Sequence, residues 1–166
     1  MLLQPSFHIK LYCTAMKQIP NDIFFAQVIS EINAGRSVIF KVKGTSMFPF
    51  IRNGKDTVKL TPVNQQLAQK DVVLFSYNGN YILHRIVKIE GDRYLIQGDG
   101  IYSSYESCSR EDIIGKVTEI HRYSGNDKYK IYSTDDWIWR IYSTCWMHLR
   151  PFRRYLLYII KKAQSA

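Results

Sequence analysis

The chain has 166 residues, 46% of them hydrophobic, so it is long enough to bury a core and too apolar for a disordered protein. It carries 23 basic and 14 acidic residues, which gives a formal net charge of +9 at pH 7. All the acidic residues lie at or before Asp136 while six basic residues follow it, which indicates an anionic partner for the C-terminal end: a membrane, a nucleic acid or an acidic protein.

The first part of the chain predicts one helix and then a β-rich body. Asn21 is a typical helix N-cap and Gly35 a typical stop, so we expect a helix over 21–33. Asn78-Gly79 is a strong hairpin signal. Alternating apolar and polar residues predict seven strands, at 38–43, 57–60, 72–76, 81–89, 93–97, 113–122 and 128–132. The expected fold is mainly β, an antiparallel bent sheet or barrel.

The pattern becomes helical near the C-terminus. Asp135 and Asp136 suit a helix N-terminus. Residues 136–149 and 152–163 have helical patterns, and Pro151 interrupts them. The expected organisation is an N-terminal segment with its helix (1–35), a β-domain (36–134) and a basic, aromatic helical tail (135–166).

Three polar side chains appear in an order that indicates nucleophilic chemistry. The segment 44–51, Gly-Thr-Ser-Met-Phe-Pro-Phe-Ile, follows a predicted strand and places Ser46 at a sharp strand exit. His84 lies in a later strand, and Asp99 follows a glycine. A serine hydroxyl needs a base, neutral imidazole can take its proton near pH 7, and a carboxylate fixes the imidazole tautomer. Serine, histidine and aspartate are therefore the parts of an activated-nucleophile system.

Each of these residues alone also has a structural explanation. Pro49 could fix a turn, with Met47 in the core. His84 could form a cross-strand hydrogen bond, and Asp99 sits among typical turn residues. Only their joint occurrence, in order, favours a catalytic site.

Six ordered segments resemble the signal peptidase I superfamily of serine peptidases, which includes self-cleaving repressor-type peptidases. They are residues 44–51, 53–56, 70–75, 84–87, 97–99 and 114–117. Lys55 is inserted in the second segment, and Lys70 stands where the family usually has glycine. The resemblance implies a serine endopeptidase that cleaves a leader or signal-like peptide, with small residues at the cleavage site and with no metal or cofactor. Its substrate would add as an extended strand at a sheet edge.

His84 stands where the leader and repressor peptidases carry lysine, which resembles the Ser–His branch of the endoplasmic reticulum and of sporulation. On that resemblance Ser46 is the nucleophile and His84 the general base. The third member stays open between Asp99, which has the better motif match and is expected nearer the ring, and Glu106. The backbone N–H of Ser46 is the expected oxyanion donor, since Gly44 has no side chain to help.

Two other functions stay open on the same fold. One is a non-catalytic peptide-binding scaffold, and the other is a self-cleaving regulator. No helix-turn-helix pattern precedes the peptidase-like segments, which counts against a DNA-binding repressor and against a nucleic-acid partner.

The sequence favours a cytoplasmic location. Cys13, Cys108 and Cys145 cannot all pair with one another and form no C-x-x-C motif, so we expect free buried thiols in a reducing compartment and no zinc site. Residues 1–16 lack an uninterrupted apolar run, so no signal peptide is expected, and no stretch has the length of a membrane span. The expected role is processing of a leader in the cytoplasm, including at the inner membrane surface.

The segment 137–166 is a second signal. It interleaves Trp137, Trp139 and Trp146 with basic residues. Aromatic anchors beside lysine and arginine are typical of helices that lie on a membrane surface. The alternative is that these apolar residues pack on the sheet or on a partner protein.

Overall fold

The computed structural model describes residues 9–10, 21–126 and 128–164. The strands are β1 Ile9–Lys10, β2 Val38–Lys41, β3 Thr57–Thr61, β4 Val72–Tyr77, β5 Asn80–Glu90, β6 Arg93–Gln97, β7 Glu106–Cys108, β8 Ile113–Gly125 and β9 Lys128–Ser133. The helices are α1 Asn21–Asn33, α2 Trp137–His148 and α3 Arg153–Gln164, with a 3-10 turn at Arg150–Phe152. Every predicted strand and helix is present. The sequence prediction missed β1 and β7, which have two and three residues and are too short to show alternation.

The described strands form one nine-stranded sheet in the order β1-β2-β3-β8-β4-β5-β6-β7, and β9 also pairs with β8. The long strand β8 is central: β3 pairs along one side of it, and β4 and then β9 pair along the other. All pairs are antiparallel except β1 with β2. This confirms the mainly β, antiparallel fold with an N-terminal helix and a C-terminal helical appendage. Among the described strands the two ends of the sheet do not pair, so the sheet is open.

Irregular pairing bends the sheet and creates two cores. The register shifts in four strand pairs, and such bulges turn a strand locally. As a result β4 is buried on both faces. Val72 and Leu74 contribute to a first core, and Val73 and Phe75 contribute to a second core on the opposite face. A third, smaller cluster joins the body to the tail and contains Phe48, Trp146 and Leu157.

The tail covers the body with one face of its helices. Trp139, Trp146, Arg153 and Leu157 are buried there, which confirms in part that the tail packs on the sheet. Its other face leaves large apolar side chains in solvent: Trp137, Ile138, Ile141, Tyr142, Leu149, Phe152, Tyr155, Tyr158 and Ile159. In the part of the chain that the structure describes, no helix is long and apolar enough to cross a membrane.

The cysteines are only partly as expected. Cys108 is free and buried, and burial raises the pKa of its thiol to about 12. Cys145 is free but exposed, since it lies on the solvent side of α2, so the expectation of burial is wrong for this residue. Cys13 lies outside the described residues.

Candidate active site

Ser46 lies half-buried in the turn that follows β2. Gly44 opens this turn at φ 105°, a left-handed conformation that glycine adopts without strain, and its N–H donates to Asn53 Oδ1 at 2.9 Å. The two residues after the serine anchor the turn. Met47 is buried in the core that contains α1, and Phe48 packs in the cluster shared with the tail. The position of Ser46 is thus fixed from both sides.

His84 lies on β5, paired with Val73 of β4. Paired residues share a face, so the imidazole faces the second core, where its centroid is 6.3 Å from that of Phe75. His84 is only 3% exposed to solvent. Successive side chains of a strand point to opposite faces, so the next residue, Arg85, faces the first core instead.

The carboxylate beside His84 belongs to Glu106, whose Oε2 is 3.1 Å from the Nδ1 of the ring. The strand register explains this contact. Glu106 pairs with Ile96, and Ile96 pairs with Ile86, which lies two residues after His84 on the same strand. Pairing and a two-residue spacing both keep side chains on one face, so β7 delivers Glu106 to the face of His84.

Asp99 lies on the opposite face, where Arg85 binds it. Arg85 Nε donates to Oδ1 and Nη2 to Oδ2, each at 2.8 Å, and both side chains are buried. Arg85 pairs with Gln97, the last residue of β6, and Asp99 follows it by two residues, which leaves the aspartate on the side of the arginine. The expectation that Asp99 approaches the ring more closely than Glu106 is therefore wrong.

Gly98 is the residue that lets the serine turn and the histidine meet. It follows β6 in register opposite His84. A Cβ at this position would lie 2.5 Å from the backbone oxygen of Ser46 and 2.9 Å from His84 Nε2. Both atoms border the same small space, so the Ser46 backbone and the Nε2 edge of the ring are neighbours. A side chain here would force them apart.

Among the described residues, the imidazole hydrogen-bonds to Glu106 and not to the Ser46 hydroxyl. Catalytic hydrogen bonds are often long in a free enzyme and tighten when substrate binds.

The surroundings of His84 favour the neutral imidazole at pH 7. Burial lowers its pKa from the ordinary value of 6.5, and this effect exceeds the opposing influence of the Glu106 carboxylate and of the more distant Asp99. A carboxylate at Nδ1 can only accept, so Nδ1 carries the proton of the neutral ring. The unprotonated Nε2 then lies on the Ser46 side.

The other matched segments have structural tasks. The Asp56 carboxylate is fully buried and accepts from Arg52 Nη2 at 2.7 Å, beside the serine turn. Lys70, which replaces the usual glycine, has φ 80°, and its carbonyl accepts from Arg85 at 2.9 Å. A Cβ at Gly115 would lie 2.8 Å from Leu60 Cγ, so glycine is required for close strand packing.

An open surface depression lies between the segment after Asp99 and the end of α2. It is lined by Tyr102, Met147, His148, Arg150 and Pro151. Within residues 9–10, 21–126 and 128–164, no three His, Cys, Asp or Glu side chains are grouped to hold a metal ion.

Sequence reasoning missed Gly98 and Arg85 as site residues. Both stand inside matched segments, so the motif itself was the available signal for them. It also missed Ser143 and Trp146, which reach this region from α2. A turn carrying Ser46 beside a buried histidine–glutamate pair, on an open antiparallel sheet, is the arrangement expected of a serine peptidase.

The comparisons with known proteins agree with this class. A family model described as Peptidase S24-like matches residues 11–118, which is more than half of the chain. The chain belongs to the S24-like peptidase family. The matched range includes all four candidate residues: Ser46, His84, Asp99 and Glu106. No curated protein matches the chain significantly.

Proposed function

We propose that this chain is a serine endopeptidase of the Ser–His type, with Ser46 as nucleophile, His84 as general base and Glu106 as the acid that orients the base. The observation that carries the proposal is the 3.1 Å contact between His84 Nδ1 and Glu106 Oε2, with Nε2 beside the Ser46 backbone. The contact fixes the tautomer in which Nε2 can accept a proton.

In the first half of the reaction, Ser46 Oγ attacks the carbonyl carbon of the scissile peptide bond and its proton passes to His84 Nε2. The carbonyl oxygen becomes an oxyanion, for which the backbone N–H of Ser46 is the proposed donor. His84 then gives the proton to the leaving nitrogen, the C–N bond breaks and an acyl-enzyme remains. Water, activated by the same imidazole, hydrolyses the ester and regenerates Ser46.

Burial and the Glu106 carboxylate serve different stages. Burial keeps the imidazole of His84 neutral before attack, so it is ready to accept a proton. Once the ring becomes positive, the negative charge of Glu106 stabilises the imidazolium, and the Nδ1 proton is not transferred to the carboxylate. Asp99 is already paired with Arg85, so we assign it the task of holding the turn next to Ser46.

The proposed substrate is a leader or signal-like peptide with small residues at the scissile bond. Among the described strands β7 pairs only with β6, so we propose that its other edge takes an extended peptide beside Glu106. The membership in a peptidase family and the histidine–glutamate pair favour this function over a non-catalytic scaffold.

The test is digestion of a proteome-derived peptide library, read by mass spectrometry. The wild-type chain is expected to generate new peptide termini, with small residues before the cut, and Ser46→Ala and His84→Asn are expected to generate none. Ser30→Ala, an exposed serine on α1, is the matched control and should cut like the wild type. A folded wild-type chain that cuts nothing would favour the scaffold. A single Ser46-dependent cut within the chain itself would favour the self-cleaving regulator.

We also propose that the outer face of the tail binds an anionic membrane surface and places the enzyme at the cytoplasmic side of the membrane. Trp137 and Tyr158 are 70% and 68% exposed. The basic residues Arg140, Arg154 and Lys162 are exposed on the same helices. Aromatic side chains beside cations suit the headgroup region of a bilayer.

A further inference from the structure

One peptide group links the nucleophile turn to the C-terminal tail. The Asp99–Gly100 peptide donates through the Gly100 N–H to the Ser46 backbone oxygen at 2.7 Å. Its carbonyl, on Asp99, accepts from the indole Nε1 of Trp146 at 3.1 Å. A peptide group is planar and stiff, so holding its oxygen also holds its N–H. Trp146 is therefore two hydrogen bonds away from the backbone of Ser46.

A second connection runs through Arg85, which is fully buried. Its guanidinium pairs with the Asp99 side chain, and its Nη1 also donates to Ser143 Oγ of α2 at 2.9 Å. The backbone and the side chain of Asp99 are thus both connected to the same helix.

The tail also supports the neighbouring residues of both turns. Phe48, two residues after the nucleophile, packs with Trp146 and Leu157. Gln97, just before the glycine that separates Ser46 from His84, accepts from the buried Arg153 at 3.1 Å. These contacts come from residues beyond position 118, where the family match ends.

We propose that Trp146, with Ser143 in support, is a positioning residue for the active site, so that the tail is a working part of the peptidase. This inference depends on the proposed function. The indole N–H holds the Asp99–Gly100 peptide, and the Gly100 N–H holds Ser46 at the ring of His84. Without the indole N–H, the serine would spend less time in the reactive arrangement, which lowers kcat and leaves KM nearly unchanged.

The chain offers a matched control for this test. Trp139 lies on the same helix and is 8% exposed, against 7% for Trp146. Among the described residues its Nε1 is buried without a hydrogen-bond partner. Trp146→Phe and Trp139→Phe therefore make the same change in ring size, but only the first removes a hydrogen bond.

The kinetic expectation is a fall in kcat of roughly fivefold to tenfold for Trp146→Phe, the size of one lost hydrogen bond. Trp139→Phe should stay within about twofold of the wild type, since it loses none. Ser143→Ala is a smaller change that removes only the hydroxyl that accepts from Arg85, and it should also lower kcat. Equal kcat values for the two tryptophan variants would overturn the inference.

A second readout does not need a substrate. Hydrogen exchange of the Gly100 amide, followed by NMR, should be faster in Trp146→Phe by a similar factor and unchanged in Trp139→Phe. If the wild-type chain cleaves nothing, the proposed function fails, but this exchange still tests the link from Trp146 to Ser46. Gly100 exchange that is the same in both variants would overturn the inference whatever the activity.

Discussion

Glu106 lies 3.1 Å from the Nδ1 of His84, whereas Asp99 is bound by Arg85 on the other face of the same strand. The sequence favoured Asp99 over Glu106 as the acid beside His84, whereas the two carboxylates have different partners in the structure. One is placed to act on the base, and the other to hold the turn beside the nucleophile.

Replacement of Glu106 should affect activity more than stability. In Glu106→Gln the side chain keeps its shape but loses the charge that orients the ring and stabilises the imidazolium. We expect kcat to fall by up to about 10⁴-fold, the loss known for the corresponding carboxylate-to-amide change in a Ser-His-Asp triad. Steady-state kinetics on a cleaved library peptide would measure this, with a thermal melt to confirm that the fold persists.

Asp99→Asn provides the contrast. It leaves the buried Arg85 without its charged partner, so the free energy of unfolding should fall by about 3–5 kcal/mol. Urea denaturation would show it. If instead Asp99→Asn were as stable as the wild type and Glu106→Gln were fully active, the division of tasks between the two carboxylates would be wrong.

The activity should persist to mildly acidic pH. Only the neutral imidazole accepts the serine proton, and burial lowers the pKa of His84 below 6.5, so kcat/KM should be constant near pH 7 and fall at a midpoint below about pH 6.5. The Glu106 carboxylate raises this pKa, so any residual activity of Glu106→Gln should have a still lower midpoint. A pH–rate profile with no fall down to about pH 4 would exclude an imidazole base.

The same group affects stability. The pKa of His84 is lower in the folded chain than the value of about 6.5 in the unfolded chain, so between these two values the unfolded chain binds more protons. The free energy of unfolding that depends on neutral His84 is therefore complete above about pH 6.5 and declines as the pH falls toward the pKa of the folded state. His84→Asn should remove this part of the pH dependence of urea unfolding. If the free energy of unfolding of His84→Asn had the same pH dependence as that of the wild type, the pKa of His84 would be the same in the folded and unfolded chains.

Lys70 should be a point of backbone strain. Its φ of 80° is unfavourable for a side-chain-bearing residue, and the family usually has glycine there. Lys70→Gly should therefore raise the free energy of unfolding by about 1 kcal/mol, since relief of strain exceeds the added freedom of the unfolded chain. Lys55→Gly, in an exposed turn where the backbone φ is not positive, is the control and should be neutral or destabilising. A loss of stability in Lys70→Gly would contradict this.

The tail should bind anionic vesicles through both charge and apolar contact. Deleting it would expose buried side chains, so point variants are the better test. In co-sedimentation with phosphatidylglycerol vesicles, a combined Arg140→Gln, Arg154→Gln and Lys162→Gln variant should bind more weakly, by about 1 kcal/mol per charge. A combined Trp137→Ala and Tyr158→Ala variant should lose the part of binding that resists salt.

The controls for membrane binding are on the protein and on the lipid. Tyr129→Ala with Ile131→Ala removes exposed apolar side chains on β9, outside the tail segment, and should not change sedimentation. Neutral vesicles should bind the wild type less than anionic vesicles do. If the tail variants sediment with anionic vesicles like the wild type, the membrane proposal is wrong, and the outer face of the tail would instead be a surface for a partner protein.

The sequence predicted what depends on local pattern. Alternation identified the seven longer strands, and Asn21 and Gly35 bounded α1 to within a few residues. The serine turn and the histidine strand were recognised because each motif is contiguous. The choice between Asp99 and Glu106 depended on the register of β6 and β7, and β7 is too short to be seen in the sequence. The contacts of Trp146 and Ser143 depend on how α2 packs, which no local pattern encodes.

The most direct test of the central claim is the modification of Ser46 by a serine-reactive fluorophosphonate, located by mass spectrometry of the digested chain. The reagent reacts with an activated serine, so at pH 8 the wild-type chain should be labelled at Ser46. His84→Asn should be labelled at least about 100-fold more slowly, since it lacks the base. A folded wild-type chain that is not labelled at Ser46, or a His84→Asn chain labelled at the wild-type rate, would contradict a Ser46–His84 nucleophile.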